Sequence, residues 1–531
     1  MTYQWGKPQA PPAGQCGGGK APPQISHRKD QAGSLETEEK ISVLDCSHYY
    51  LWELLMDYNI HILPQNAHIH LMGICGVGMS SLAGMLKEKG YAVTGSDQNT
   101  YPPISTFLER LSIPVNKGYS PQNLYPKPNL VIVGNVITRN NSESEELLKL
   151  DIPYLSMPQA LKKFAMEGKK SIVIAGTHGK TTVSALTAWI LEVAGLNPSF
   201  MIGGIAKNFN RNFKLSNGVY FVIEGDEYDT AFFDKGPKFL HYNPYLAAIT
   251  SIEFDHADIY KGIEEIKNSF IKFIEIVPKK GTVCVNSDDP LAADVIKGAQ
   301  CPIVSFAIRG DADLTVGDVT SQDGKTRFII FKKNVEFARV TTDLFGNYNI
   351  SNILAATAIS SVIGIPHETI VRAIETFQGV KRRLEILGEY KDVMVIDDFA
   401  HHPTAVSETI KAVKSHYGNR RLVALFEPRS NSSRRNIFQN AYADSFTDAD
   451  VVILPEPPMM DKIPLNERFS SLKLIADLKK RGIEAHYFPD NHTLLDELLA
   501  HIKPGDVILV MSNGAFDNIQ GRLVDCLKEK T

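Results

Sequence analysis

The stretch Ile172-Val-Ile-Ala-Gly-Thr-His-Gly-Lys-Thr-Thr182 constrains this chain more than any other. Branched aliphatic residues at 172–174 predict a buried strand, and the apolar pattern of residues 182–194 predicts a helix. The loop between them is rich in glycine. A strand that feeds a helix through such a loop aims backbone N–H groups and a helix N-terminus at one point, which is an anion site. Lys180 adds a point charge suited to β- and γ-phosphates, and Thr181 adds a hydroxyl suited to Mg²⁺. The spacing is a shortened form of G-x-x-x-x-G-K-[ST], because Ile174 stands where that pattern has glycine. A glycine turn with an exposed lysine is the bland alternative. The strand–loop–helix context favours a nucleoside triphosphate.

The same alternation runs through the chain from residue 67. Residues 68–72, 92–95 and 130–133 read as strands, with a helix over 80–89. A second unit opens near Ser171, with later strands at 220–224, 247–250 and 282–285. A third opens near Val380, with strands at 393–397, 422–426, 451–454 and 507–511. Strands alternating with helices predict parallel sheets covered on both faces, here in three successive α/β domains. At about 150 residues per domain, 531 residues allow three or four. Residues 1–65 do not fit the alternation. Residues 1–33 are rich in Pro, Gly and Gln and are expected to be disordered, with a short helical patch over 49–58.

Lys and Arg total 56 against 60 Asp and Glu, a formal charge of −4. That balance excludes a globally basic nucleic-acid coat, and no apolar run is long enough to cross a bilayer. The six cysteines form no C-x-x-C pair and read as reduced thiols, and the first twenty residues lack the order of a secretory signal. A cytoplasmic protein is expected, without nucleic-acid partners or membrane insertion.

Two further elements carry chemistry. Glu224 ends the strand 220–224, where ligand groups emerge from a parallel sheet, and Glu227 and Asp229 follow; Asp255 and His256 lie past the next strand end. A lone histidine is usually structural, but this setting raises His256 as a metal or phosphate ligand. The absence of a Cys/His cluster argues against a dedicated zinc site. Near the start, Gly73-Ile-Cys-Gly-Val-Gly-Met79 follows a strand, and Gly95-Ser96-Asp97 follows the next, where a ribose-binding acid would sit. Alone, that pair suggests an NAD-dependent dehydrogenase. Beside a triphosphate loop it suggests a nucleotide-linked substrate, with a non-catalytic nucleotide-binding regulator as a further alternative.

The ordered motifs together resemble the Mur ligases, the amide-forming enzymes of peptidoglycan synthesis. Gly176-Thr-His-Gly-Lys-Thr-Thr182 resembles their ATP loop, and Gly73 to Met79 the UDP-binding loop of the branch that uses UDP-N-acetylmuramate. Glu224-Gly-Asp-Glu-Tyr-Asp229, Asn349-Ile-Ser-Asn352 with Ala355-Ala356, and Asp397-Asp-Phe-Ala-His-His-Pro-Thr404 resemble three more family elements. The resemblance implies an α/β fold of three domains: a Rossmann-like UDP-sugar domain over 66–168, a P-loop-type ATPase over 169–378 and a Rossmann-like peptide domain over 379–531. Within the family, residues 95–106, 231–235 with 238–242, 427–431 and 510–514 resemble the member that adds the murein tripeptide L-alanyl-γ-D-glutamyl-meso-diaminopimelate in peptidoglycan recycling. The L-alanine-adding member is the alternative.

The resemblance also implies roles. Gly176, Thr177, His178, Gly179, Lys180, Thr181 and Thr182 would cradle ATP, with Asn349 and Asn352 on the adenine side and Arg383 and Asp398 nearby. Thr181, Glu224 and His256 would hold Mg²⁺, and Lys180, His256 and Arg383 would be catalytic, Arg382 being a poorer alternative to Arg383. Gly73, Cys75, Gly76, Gly78, Met79, Ser96 and Asp97 would bind the UDP-sugar. His401, Arg429 and Asn431 would bind the peptide, Arg429 by a fork suited to a carboxylate. Three positions depart from the family: Glu427 replaces Asn before Pro428-Arg429, Ser251 stands for Asn, and Tyr348 for His. Phe270 falls where sister ligases carry a carbamoylated lysine, so that modification is not expected.

Overall fold

A computed structural model describes residues 63–102 and 104–529; the expectations for residues 1–62 lie outside it. The described residues build three large sheets in succession, with a separate two-stranded antiparallel ribbon of Asp229–Ala231 and Asp234–Pro237. The first has five parallel strands in the spatial order Val115–Lys117, Ala92–Asp97, His68–Met72, Leu130–Val133, Tyr154–Ser156. The strand order reverses beside His68–Met72, so a crevice opens beyond the carboxyl ends of that strand and Leu130–Val133.

The second sheet has ten strands. Its parallel heart places Lys170–Ala175 between Pro244–Ile249 and Tyr220–Gly225. The strand Lys170–Ala175 is buried from Ser171 onward, which its unbroken apolar run dictates. Helix Lys180–Val193 packs on this sheet beside Asn347–Ile363 and His367–Glu375, with Leu186, Ile190, Ile353 and Ile370 in one apolar core. Gly195, at φ +75°, follows the first of these helices as a left-handed terminator. At one edge the strands Leu314–Gln322, Lys325–Lys332 and Val335–Thr342 form an antiparallel meander, and at the other Arg211–Lys214 runs antiparallel to Ser199–Ala206. The sheet is therefore mixed, where parallel strands alone were expected.

The third sheet runs Glu385–Tyr390, Val393–Asp398, Val507–Met511, Leu422–Phe426, Val451–Pro455, Glu484–Phe488. Only the first pairing is antiparallel. Its central strand Val507–Met511 lies between Val393–Asp398 and Leu422–Phe426, so Asp398, Glu427 and Ser512 meet at one end.

The second and third sheets join over a few residues. Val380 bridges Ala206, and the Lys381 amide donates to Ile205 O at 3.0 Å. The Leu384 amide donates to the Asp398 carboxylate at 2.7 Å, on the far side. Arg382 and Leu384 hold φ of +60° and +44°, a backbone region that non-glycine residues adopt at a cost of about 1–3 kcal/mol.

Candidate active site

One cleft of about 1440 Å³ is lined by all three regions, from Gly78 and Asn135 through the 177–182 loop to Arg429 and Asn431. The loop at its centre is held by the neighbouring strand end. The Thr177 amide donates to Ser251 O at 2.8 Å and the His178 amide to Ser251 Oγ at 3.1 Å, while Thr250 Oγ1 donates to His178 O. The serine that stands for Asn thus braces the loop. Gly176 and Gly179 hold φ of +133° and +81°. A Cβ on Gly176 would lie 2.2 Å from Thr250 Oγ1 and 2.9 Å from Ser251 N, so only glycine fits.

Lys180 is the centre of a buried charge network. Its ammonium donates to Gly176 O at 2.7 Å and to Glu227 Oε2 at 3.0 Å. The second Glu227 oxygen meets His256 Nε2 at 3.2 Å, and the Glu227 carbonyl accepts from the Tyr260 hydroxyl. Burial opposes the charge on Glu227, but Lys180 and His256 outweigh it and hold its pKa down to about 2. Burial also opposes the charge on His256, and Glu227 and Asp255 raise its pKa in spite of it. Sequence reasoning left the role of Glu227 open; the structure makes it the bridge between two cationic groups.

Thr181 Oγ1 donates to Glu224 Oε2 at 3.0 Å, and Arg383 Nη2 donates to Thr181 Oγ1 at 3.1 Å from across the junction. The Arg383 guanidinium lies 4.6 Å from the Phe399 ring centroid, a cation–π contact. Burial and then Asp226 raise the pKa of Glu224, so its charge has too little local compensation. Octahedral ligands about 2.05 Å from Mg²⁺ are separated by about 2.9 Å along a cis edge, which the Thr181–Glu224 spacing matches. Arg382 instead pairs with Asp397 at 3.2 Å and donates to Ser512 O.

Other expected residues are placed differently. Asn349 and Asn352 share one helix face at the cleft, but Asn349 Nδ2 donates to Phe345 O at 2.9 Å and its oxygen accepts from Asn352 Nδ2 at 3.2 Å. Asn352 Oδ1 is the amide oxygen directed at Gly179. Asp398 lines the cleft yet accepts amides of Leu384 and Ala400, so it braces the junction. His401 Nδ1 lies 3.1 Å from Phe399 O, with Nε2 3.9 Å from Asp255. Arg429 lines the cleft 3.4 Å from Glu427, whose other oxygen accepts from the Ser512 hydroxyl at 2.6 Å. Asn431 is committed to Asp258 and Arg434, at 2.8 Å each.

The first glycine loop departs most from expectation. Gly73 turns the chain at φ +80° and Gly76 caps helix Val77–Glu88, but of the seven residues named for the UDP-sugar only Gly78 lines the cleft. Ser96 is fully buried with its hydroxyl on Glu143 at 2.8 Å, and Met79 is buried. Asp97 accepts the Cys75 amide at 2.9 Å and the Asn99 amide at 2.8 Å. Its carboxylate therefore ties down the loop instead of standing free for a ribose.

Beside the 177–182 loop lies a group that sequence reasoning did not connect. Glu253 Oε2 is 3.5 Å from His178 Nε2 and 3.3 Å from His402 Nδ1. Burial and the neighbouring His178 lower the pKa of His402 to about 4, so its ring is neutral. Glu253 stands two residues before Asp255 in Ile252-Glu-Phe-Asp-His256, and His402 directly follows His401 in His401-His402-Pro. Only the fold brings them together.

The comparisons agree with this architecture. Three descriptions match in order: "Mur ligase family, catalytic domain" over residues 68–169, "Mur ligase middle domain" over 174–360 and "Mur ligase, glutamate ligase domain" over 382–514. The chain belongs to the Mur ligase family, whose members are ATP-dependent enzymes that form amide bonds. Among its relatives, a UDP-N-acetylmuramate–L-alanyl-γ-D-glutamyl-meso-2,6-diaminoheptandioate ligase of Haemophilus influenzae is 37% identical over 465 residues, 87% of this chain and 100% of that one. The Escherichia coli protein of that name is 38% identical over 465 residues, covering 87% and 98%. A UDP-N-acetylmuramate–L-alanine ligase of Endomicrobium trichonymphae is 34% identical over 450 residues, covering 85% and 96%. A murein peptide ligase structure from Psychrobacter arcticus superposes with a TM-score of 0.67 at 33% identity, covering 87% and 98%.

Proposed function

We propose that this chain joins UDP-N-acetylmuramate to L-alanyl-γ-D-glutamyl-meso-diaminopimelate, with ATP hydrolysed to ADP and phosphate. The observation that carries the reading is one cleft in which Lys180, Thr181 with Glu224, and Arg383 converge on the loop while Arg429 faces them from the third sheet. Identity of 37–38% over nearly the whole length of the two tripeptide-adding relatives supports the acceptor. In this reading the central domain, residues 169–378, is the P-loop-type ATPase, flanked by Rossmann-like domains over 66–168 and 379–531. The reaction belongs in the bacterial cytoplasm, where ATP and the UDP-sugar are found together.

The lactoyl carboxylate of UDP-N-acetylmuramate attacks the γ-phosphorus, giving an acyl phosphate and ADP. The peptide's α-amine then attacks the acyl carbon, loses a proton, and expels phosphate to leave the amide. Charge that builds on the transferred group is met by Lys180 and Arg383. Thr181 and Glu224 would hold Mg²⁺, with His256 toward a second ion, and the metal supplies charge neutralisation at the phosphates. Loop amides of residues 177–182 orient the phosphates, and Asn349 and Asn352, joined by a hydrogen bond, stand on the adenine side. His401 lies at the peptide side, between Phe399 O and Asp255.

The discriminating experiment measures phosphate release with UDP-N-acetylmuramate, ATP and Mg²⁺, offering either the tripeptide or L-alanine. Turnover with the tripeptide at least about 10-fold faster is expected, and faster turnover with L-alanine would reverse the assignment. Release without the UDP-sugar would point to a plain nucleotidase, and an absorbance change with NAD would revive the dehydrogenase reading. Chelating Mg²⁺ is expected to stop release.

Arg429 is assigned to a carboxylate of the peptide. Glu427 holds its guanidinium from one side, leaving the rest of the fork to the ligand. Arg429→Ala is expected to raise the tripeptide KM by about 100-fold, the effect of about 2–3 kcal/mol from a charged hydrogen-bonded pair. The ATP KM should move less than about 3-fold on the same scale. Equal shifts in both would remove Arg429 from the peptide site.

A further inference from the structure

We propose that His178, Glu253 and His402 form a binding site for a borderline-soft divalent cation such as Zn²⁺, separate from the Thr181–Glu224 pair and clamping the ATP loop to the third domain. Their ligand atoms lie within 4.8 Å of one another. Tetrahedral zinc with arms of about 2.0–2.1 Å separates its ligands by about 3.3–3.4 Å. The carboxylate oxygen of Glu253 stands 3.5 Å and 3.3 Å from the two imidazole nitrogens, so both of its edges already have that length.

The surroundings suit a metal better than they suit the bare side chains. His178 Nε2 is buried and makes no hydrogen bond of ordinary geometry, which leaves its lone pair or proton poorly used. His402 Nε2 lies 3.2 Å from Phe254 O, so an N–H there donates to the carbonyl and leaves Nδ1 unprotonated, 3.3 Å from Glu253 and 3.3 Å from the Thr404 amide that a cation would displace from its lone pair. A backbone carbonyl on the far ring nitrogen is the usual orienting partner of a metal-bound histidine. Glu253 is oriented in turn by the Thr404 hydroxyl at 2.6 Å. Two nitrogens and one carboxylate favour zinc or cobalt over Mg²⁺, which prefers six oxygen ligands.

The three residues come from both sides of the junction: His178 is in the ATP loop, Glu253 follows the strand Pro244–Ile249, and His402 caps helix Pro403–Tyr417 of the third region. A cation here would fix the loop against that helix. The slowing of turnover that follows rests on the proposed function; the binding itself does not. His402 Nδ1 also accepts the Thr404 amide as the helix cap, at 3.3 Å. Asparagine is a strong N-cap, so His402→Asn removes the imidazole while keeping a cap acceptor.

The test uses the full chain, freed of metal and without nucleotide, titrated with Co²⁺ as a visible probe and then with Zn²⁺ by calorimetry. One equivalent of Co²⁺ is expected to give the intense visible bands of a four-coordinate site, displaced by Zn²⁺ and not by excess Mg²⁺. His402→Asn should lose those bands and weaken Zn²⁺ binding by about 100-fold. Its turnover in Mg²⁺ should stay near the parent's while Zn²⁺ that slows the parent no longer does. Equal Zn²⁺ affinity in parent and variant would overturn the site, because any binding would then sit at thiols or at the Mg²⁺ ligands. So would the absence of four-coordinate bands in the parent.

Discussion

Lys180→Gln is expected to lower kcat for phosphate release by at least about 10³-fold, the scale of removing one principal cation from a phosphoryl-transfer site. The loss should also reach stability. Glu227 is 3% exposed and keeps its charge because Lys180 and His256 flank it. Removing one partner of a buried pair costs about 3–5 kcal/mol, and His256 keeps the loss near the lower end. The pH dependence has a definite sign. Glu227 has a folded pKa of about 2, below its ordinary 4.5, so it stabilises the fold above pH 4.5 and that contribution fades as pH falls toward 2. In the variant the folded pKa rises back, so denaturant titrations should show the largest deficit near neutrality and a shrinking one across that acid window. A deficit independent of pH would mean that Glu227 is not held by Lys180.

Gly176→Ala is expected to be as damaging by a different route. The new methyl would meet Thr250 Oγ1 at 2.2 Å and Ser251 N and O at 2.9 Å each, in a backbone with φ +133°. None of these neighbours is the far end of a flexible chain, so the loop itself must move. Strain of about 1–3 kcal/mol and overpacking of about 1–3 kcal/mol add to a loss near 4 kcal/mol. Moving the loop also unhooks the Thr177 and His178 amides from Ser251, so ATP affinity should fall by at least about 100-fold, measured with a fluorescent ATP analogue. A variant of normal Tm and ATP affinity would show that the loop is softer than its hydrogen bonds imply.

What could be read in the sequence was what is encoded locally. The strand before Gly176, the helix after it and the carboxylate ending the strand Tyr220–Gly225 all follow from short-range pattern, and the structure puts them together at one cleft. The limits have physical causes. In the meander over 314–342 the strand Leu314–Gln322 is mostly exposed, while the middle strand carries the unbroken apolar run 328–331, so neither shows clean alternation. Asp97 sits where a ribose acid would, but which partner takes its oxygens depends on a turn geometry that the sequence does not display; the Cys75 amide takes one. Ser96 looked like a ligand from its place after a strand, yet side chains alternate along the strand and its hydroxyl points inward to Glu143. Asn349 matched its motif while the helix claimed its amide for Phe345 O. Glu253 and His402 are 149 positions apart, and no local pattern could bring them within 3.3 Å.

The junction between the second and third sheets has a mechanical consequence. Lys381 is stitched to Ile205 on one side and Leu384 to Asp398 on the other, so any rotation between the two regions must be taken up in the backbone of residues 382 and 383. Arg383 grows from that very segment and reaches Thr181. The pointer grows from the axle itself. Turning the third region therefore moves a guanidinium against the loop through a lever no longer than a single side chain, and an angular change is converted directly into a displacement of positive charge at Thr181.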